Sequence, residues 1–140
     1  ILFLLGFVLA GFDFRFGWSD LPPFVPVIGS ILLLFSYGLY AEVVRENAYL
    51  SRTIQVQTGQ IVVDTGLYGV VRHPMYSASL LLFLSFAIVL GSIWTFLCFL
   101  GFIPLFLKRI QNEEKVLVKE LKGYDLYLIK VKYRLIPFVW

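Results

Sequence analysis

The distribution of charge along this chain constrains its fold most, because three long stretches carry none. Residues 24–40, 75–90 and 93–107 contain no Asp, Glu, Lys or Arg. The hydrocarbon core of a bilayer is about 30 Å thick and takes roughly 20 helical residues, so each stretch with its flanks approaches a span. Composition agrees: 59% of residues are hydrophobic and 15% charged, against about 25% charged in an ordinary soluble domain. The pattern predicts an all-α integral membrane protein with spans over about 23–41, 74–90 and 93–108. The opening "ILFLLGFVLAGF", residues 1–12, is too short to span and lacks the basic start and cleavage site of a signal peptide. It is expected to be the second half of a span that begins upstream, in a protein truncated at its N-terminus. A buried surface helix is the alternative.

Orientation follows from the basic residues. Arg45, Arg52 and Arg72 lie in the connector 42–73, and eight of the 12 basic residues lie from Lys108 onward. The segment "DFRFGWSDLPP" sets one arginine against Asp13 and Asp20, and the turn at 91–92 has no charge. The positive-inside rule then puts connector and tail in the cytoplasm. A net charge of +3 suits anionic lipid and gives no sign of nucleic acid as a partner. Cys98 stands alone inside a span, which leaves neither a disulfide nor a metal site and reads as a small packing residue.

The membrane and cytoplasmic parts interleave within a single domain over 1–140. A helical hairpin (74–90, 93–108) is followed by an amphipathic cytoplasmic tail over 109–140. The connector, about 30 residues, is long for a link between packed elements. Its "TIQVQTGQIVVDTG" is rich in β-branched residues and has no run of like charge, so an ordered segment packed on the spans is expected. The tail's Val116, Leu117, Leu121 and Leu128 form an apolar stripe that would pack on the membrane surface or on the connector. Gly123, in "GYDLY", is expected to break the helix.

Two constellations could carry chemistry. In "VVRHPMY", Pro74 favours the first turn of a helix, which leaves His73 just outside it. The free amides of that turn, with Arg72 and His73 beside them, make a positive site where a carboxylate or phosphate could dock. Equally, Arg72 serves as a positive-inside anchor and His73 as a helix cap. In "KRIQNEEKVLVKEL", Arg109 and Glu113 are four apart and share a helical face, while Glu114 points about 100° away. That pair either handles a ligand bearing both signs or forms an ordinary neighbour salt bridge worth a few tenths of a kcal/mol.

Together, "VVDTGLYGVVRHPMY" and, one hairpin later, "RIQNEEKVLVKELKGYDLYLIKVKYRLIPFVW" resemble the isoprenylcysteine carboxyl methyltransferase family of integral membrane enzymes, in its bacterial and archaeal branch. The related phospholipid N-methyltransferases share its plan. The resemblance covers about residues 45–140. It implies a single membrane methyltransferase domain with a cytoplasmic pocket for S-adenosylmethionine, closed by the C-terminal segment, and a route between spans for a lipophilic or lipid-modified substrate. By the same likeness Gln60, Ile61, Val62 and Val63 lie along the cofactor, largely through backbone. Tyr68, His73, Pro74, Met75, Tyr76 and Glu113 match further cofactor positions, and Arg109 matches one that orients the methyl acceptor. Ala78 stands where the family commonly has glycine, so its methyl is expected to crowd a helix contact or the pocket edge.

The implied function is methyl transfer to a lipophilic acceptor at the cytoplasmic face of a membrane crossed several times, the inner or plasma membrane in a prokaryote. Such a displacement depends on positioning and exclusion of water and needs no metal. A carboxylate acceptor arrives ionised and suits Arg109. An amine acceptor, as in phospholipid N-methylation, needs a base from Glu113, Glu114, His73 or a tyrosine. A catalytically silent membrane binding module of the same fold is the other class. The absence of ionisable groups from the expected spans argues against a transporter.

Overall fold

In the computed structural model, which describes residues 1–50 and 54–140, all the regular structure is helical. Arg52, one of the three basic residues of the connector, and Thr53, which opens its β-branched run, lie outside the described residues. The elements are α1 (Leu2–Phe16), α2 (Phe24–Glu46), a 3₁₀ turn (Gly66–Gly69), α3 (Pro74–Val89), α4 (Ile93–Leu100), α5 (Phe102–Glu120) and α6 (Tyr124–Lys130). They form two compact units, one of Ile1–Leu39 with Ala78–Leu105, the other of Tyr40–Ser77 with Phe106–Trp140.

The first unit is apolar outside as well as inside. Leu4, Val8, Ile31, Leu34, Phe35, Leu97 and Leu105 are all more than half exposed, a surface suited to lipid and an aggregation hazard in water. Two helical stretches, Phe24–Glu46 and Ile93–Glu120, are long and apolar enough to cross a membrane. At 16 residues, α3 rises about 24 Å and falls just short. Inside the unit Phe3 stacks on Phe99 with centroids 5.9 Å apart, and Phe83 lies 4.4 Å from Phe102. The first helix approaches the fourth closely because residue 6 is glycine: a Cβ there would stand 2.1 Å from the Phe99 ring. Ala78 is buried in this unit at 1% exposure, so its methyl is accommodated by packing.

Helix α1 runs four residues beyond the expected boundary at 12, to Phe16, where Gly17 in the left-handed region (φ 64°) caps it. That extension brings Asp13 into the helix and buries it to 2% exposure, whereas the charge pattern had put it in a loop and kept ionisable groups out of the spans. Its carboxylate is compensated locally. It accepts from Ser19 N and Ser19 Oγ, both at 2.7 Å, and from Ser92 Oγ. Ser92 also caps α4 by accepting from Thr95 N at 3.1 Å. A fully hydrogen-bonded carboxylate meets the desolvation cost that would otherwise exclude it.

The second unit is built on two apolar clusters. Leu121, Tyr124, Tyr127 and Val131 pack with Val56, Val62, Leu117 and Leu128. The tail's apolar stripe is thus covered by the connector, the second of its two expected partners. Tyr76, Ile110 and Leu135 pack with Met75, Phe106, Leu107 and Trp140. The connector is tied down by backbone and side-chain bonds: Gln57 Nε2 donates to Tyr49 O at 2.8 Å and Thr65 Oγ1 to Glu46 Oε2 at 2.8 Å. The expected break at Gly123 occurs, with φ 86°.

Candidate functional site

The second unit holds a recess that is partly open to solvent. Three separated segments line it: the connector, the turn into α3 and the helices of the tail. Of the residues singled out in the sequence, Gln60, Ile61, Val62, Val63, Tyr68, His73, Met75, Tyr76 and Glu113 lie on its wall. Pro74 and Arg109 do not. Pro74 opens α3, and Arg109 joins the group through Tyr76.

That junction resolves the spacing of Arg109 and Glu113. Arg109 Nε donates to Tyr76 Oη at 2.8 Å, and the same hydroxyl donates to Glu113 Oε2 at 2.8 Å. The phenol therefore couples the cation and the anion of one helical face and fixes both to the first turn of α3.

His73 serves two ends. Its carbonyl accepts from Tyr76 N (3.1 Å) and Ser77 N (3.3 Å), capping α3, and its buried ring places Nε2 3.3 Å from Glu114 Oε1. Its amide and that of Arg72 donate to Arg134 O (2.9 Å) and Tyr133 O (2.8 Å), which pins the C-terminal segment beside the doorway. The side chain of Arg72 is only 9% exposed. It donates through Nε to Glu114 Oε1 at 2.8 Å and through Nη1 to Val131 O at 3.1 Å, so it is a structural partner and no mere surface anchor.

Glu114 is the residue that helical spacing missed. The 100° offset from Arg109 and Glu113 turns it to where Arg72, His73 and Arg134 converge, Arg134 Nε donating to Glu114 Oε2 at 2.9 Å. Burial pushes its carboxyl up, but the His73 hydrogen bond and the charges of Arg72, His73 and Arg134 outweigh this and hold it below the ordinary value of 4.5. Arg134 also lies over the Trp140 ring, 4.8 Å from its centroid, a favourable cation–π contact.

Tyrosines form much of the remaining wall. Burial pushes the Tyr68 phenol up to about 12, against an opposing hydrogen bond from Asn47. Burial likewise raises Tyr124 and Tyr127. All three therefore stay protonated at neutral pH. Tyr127 donates to Tyr68 O at 2.7 Å and binds α6 to the 3₁₀ turn. Among the described residues the buried Tyr124 hydroxyl has no hydrogen-bond partner. The signal for these two was the pair of tyrosines in "GYDLY", read there only as marking a helix break. No cluster of three metal-ligating side chains occurs among the described residues.

The helices define an all-helical membrane protein with a recess lined both by charged side chains, Arg72 and Glu113, and by apolar ones, Leu117 and Leu121. The chain belongs to the phospholipid methyltransferase family, whose model matches residues 24–122. Its fold is similar to that of the eukaryotic intramembrane Ras methyltransferase, isoprenylcysteine carboxyl methyltransferase, with a TM-score of 0.83 at 20% identity over 97% of this chain and 50% of that one. It is also 31% identical over 91 residues to the Delta(14)-sterol reductase of Mus musculus, a match covering 63% of this chain and 22% of the reductase. The chain thus spans half the length of the first and about a fifth of the second.

Proposed function

We propose that this chain carries the cofactor site of an S-adenosylmethionine-dependent methyltransferase that crosses the membrane several times and acts on a lipophilic acceptor at the cytoplasmic face. Membership of the family supports the class. The observation that carries the proposal to this chain is the single recess wall that joins Gln60, Ile61, Val62 and Val63 to Tyr68, His73, Tyr76 and Glu113. Its chemistry fits S-adenosylmethionine: charged groups for an amino-acid end, apolar side chains for a flat base, and an unpartnered phenol for one further polar atom.

S-adenosylmethionine, held there, would supply a methyl carbon on a sulfonium, with a neutral thioether as its leaving group. The chain's own groups position and shield. Glu113 takes an ammonium, the tyrosines exclude water, and Arg109, oriented by Tyr76, turns a carboxylate acceptor toward the methyl. A carboxylate is favoured over an amine because the bases an amine would need are few. Glu114 is committed to Arg72, Arg134 and the His73 ring, and Tyr68, Tyr124 and Tyr127 stay protonated. Glu113 and His73 remain for the alternative, a lipid amine.

Calorimetry on the full chain in lipid nanodiscs tests this. S-adenosylhomocysteine should bind saturably, and His73→Ala and Glu113→Ala should each weaken it about tenfold or more, as expected for loss of a charged hydrogen bond. Folded protein that does not bind would remove the methyltransferase proposal. The sterol reductase likeness supports a second reading, in which the recess takes a reduced nicotinamide as hydride donor. Saturable binding of NADPH without S-adenosylhomocysteine would select it.

A further inference from the structure

The Tyr124 hydroxyl is unexplained by folding. The residue is 4% exposed, lines the recess, and has no hydrogen-bond partner among the described residues. Buried hydroxyls are almost always satisfied, so an orphan in a pocket wall marks where a ligand atom completes it. The Tyr127 hydroxyl, one helical turn on, meets the rule by donating to Tyr68 O.

The surroundings identify the missing partner. The hydroxyl lies within electrostatic reach of Glu114, Arg72 and Glu113, yet neither carboxylate accepts from it. The oxygens of Glu114 are taken by Arg72, His73 and Arg134, and Glu113 accepts from Tyr76. Two guanidiniums face the single carboxylate of Glu114 and a third, on Arg109, offsets Glu113 across Tyr76, so the guanidiniums of this group outnumber its carboxylates. Arg72 and His73 also line the recess. A protonated phenol that no protein oxygen accepts from, with the Arg72 guanidinium on the same wall, is a donor set for an anion.

We infer that Tyr124 and Arg72 form the anion subsite of the recess, the Tyr124 hydroxyl donating to a carboxylate oxygen on the amino-acid end of the ligand. This rests on the cofactor proposed above; a ligand phosphate is the other source of the same chemistry.

Tyr124→Phe keeps the ring and removes only the hydroxyl. S-adenosylmethionine should bind the variant about three- to tenfold more weakly, decarboxylated S-adenosylmethionine should bind both proteins equally, and the melting temperature of the unliganded protein should stay level or rise. Equal losses for the two ligands, no loss for either, or a lower unliganded melting temperature would overturn the inference. Wild-type protein that ignores S-adenosylmethionine but binds NADPH or inorganic phosphate would remove the cofactor, and loss of that affinity in Tyr124→Phe would still uphold the anion subsite. Wild-type protein that binds none of these probes refutes both.

Discussion

Glu114→Ala should be the most destabilising single change in the second unit. The carboxylate is 10% exposed and bonds Arg72, itself 9% exposed, at 2.8 Å, Arg134 at 2.9 Å and His73 at 3.3 Å. Removing one partner of a buried ion pair costs about 3–5 kcal/mol, because the remaining charge is left without compensation. The lower end, about 3 kcal/mol, is expected here, since Arg134 is 34% exposed and recovers solvent. Thermal and denaturant unfolding in one detergent, with Glu120→Ala at the exposed end of α5 as control, measures it.

The same group sets a pH dependence. The folded carboxyl titrates below 4.5, so its stabilisation is complete above the unfolded value and is lost as pH falls from about 4.5 through the folded pKa. Glu114→Gln should flatten the stability profile in that window. A loss below about 1 kcal/mol for Glu114→Ala, or an unaltered acid limb in Glu114→Gln, would refute the buried-hub account.

Two further changes have definite signs. Tyr76→Phe removes the hydroxyl shared by Arg109 and Glu113 and should lower methyl transfer about tenfold or more with unfolding shifted by only about 1 kcal/mol, read by turnover beside a melting curve; equal turnover would dissociate the bridge from catalysis. Gly6→Ala places a methyl 2.1 Å from the Phe99 ring, and unfolding should show a loss of about 1–3 kcal/mol as α1 moves away. Gly11→Ala on the same helix meets nothing within 4 Å and should be near neutral.

The chain's legibility differed between its parts for a physical reason. Charge-free runs and the proline at 74 are local properties, and α2, α3 and α4 begin where those properties put them, although α2 runs on to Glu46. At Asp13 the local rule failed, because a carboxylate can enter a helix when distant hydroxyls satisfy it, and Ser92 is 79 residues away. The stripe of Leu117, Leu121 and Leu128 was visible by period, but which of its two expected covers it takes was not, since Val56 and Val62 lie in a segment without helical or strand period.

For the site, local residue patterns were enough to single out the HPMY turn and the Arg109–Glu113 face, while Gln60 to Val63 came only from the family likeness and line the same recess. Arg109 and Glu113 were legible because side chains four apart on one helix meet whatever else the chain does. Their bridge through Tyr76 and the convergence of Arg72, His73 and Arg134 on Glu114 join residues 20 to 42 positions apart, and the Tyr124 hydroxyl is left without a partner by the same long-range packing. Periodicity records only which way a side chain leaves its own helix. What waits at the end of it depends on where the other segments come to rest, and only the folded chain decides that.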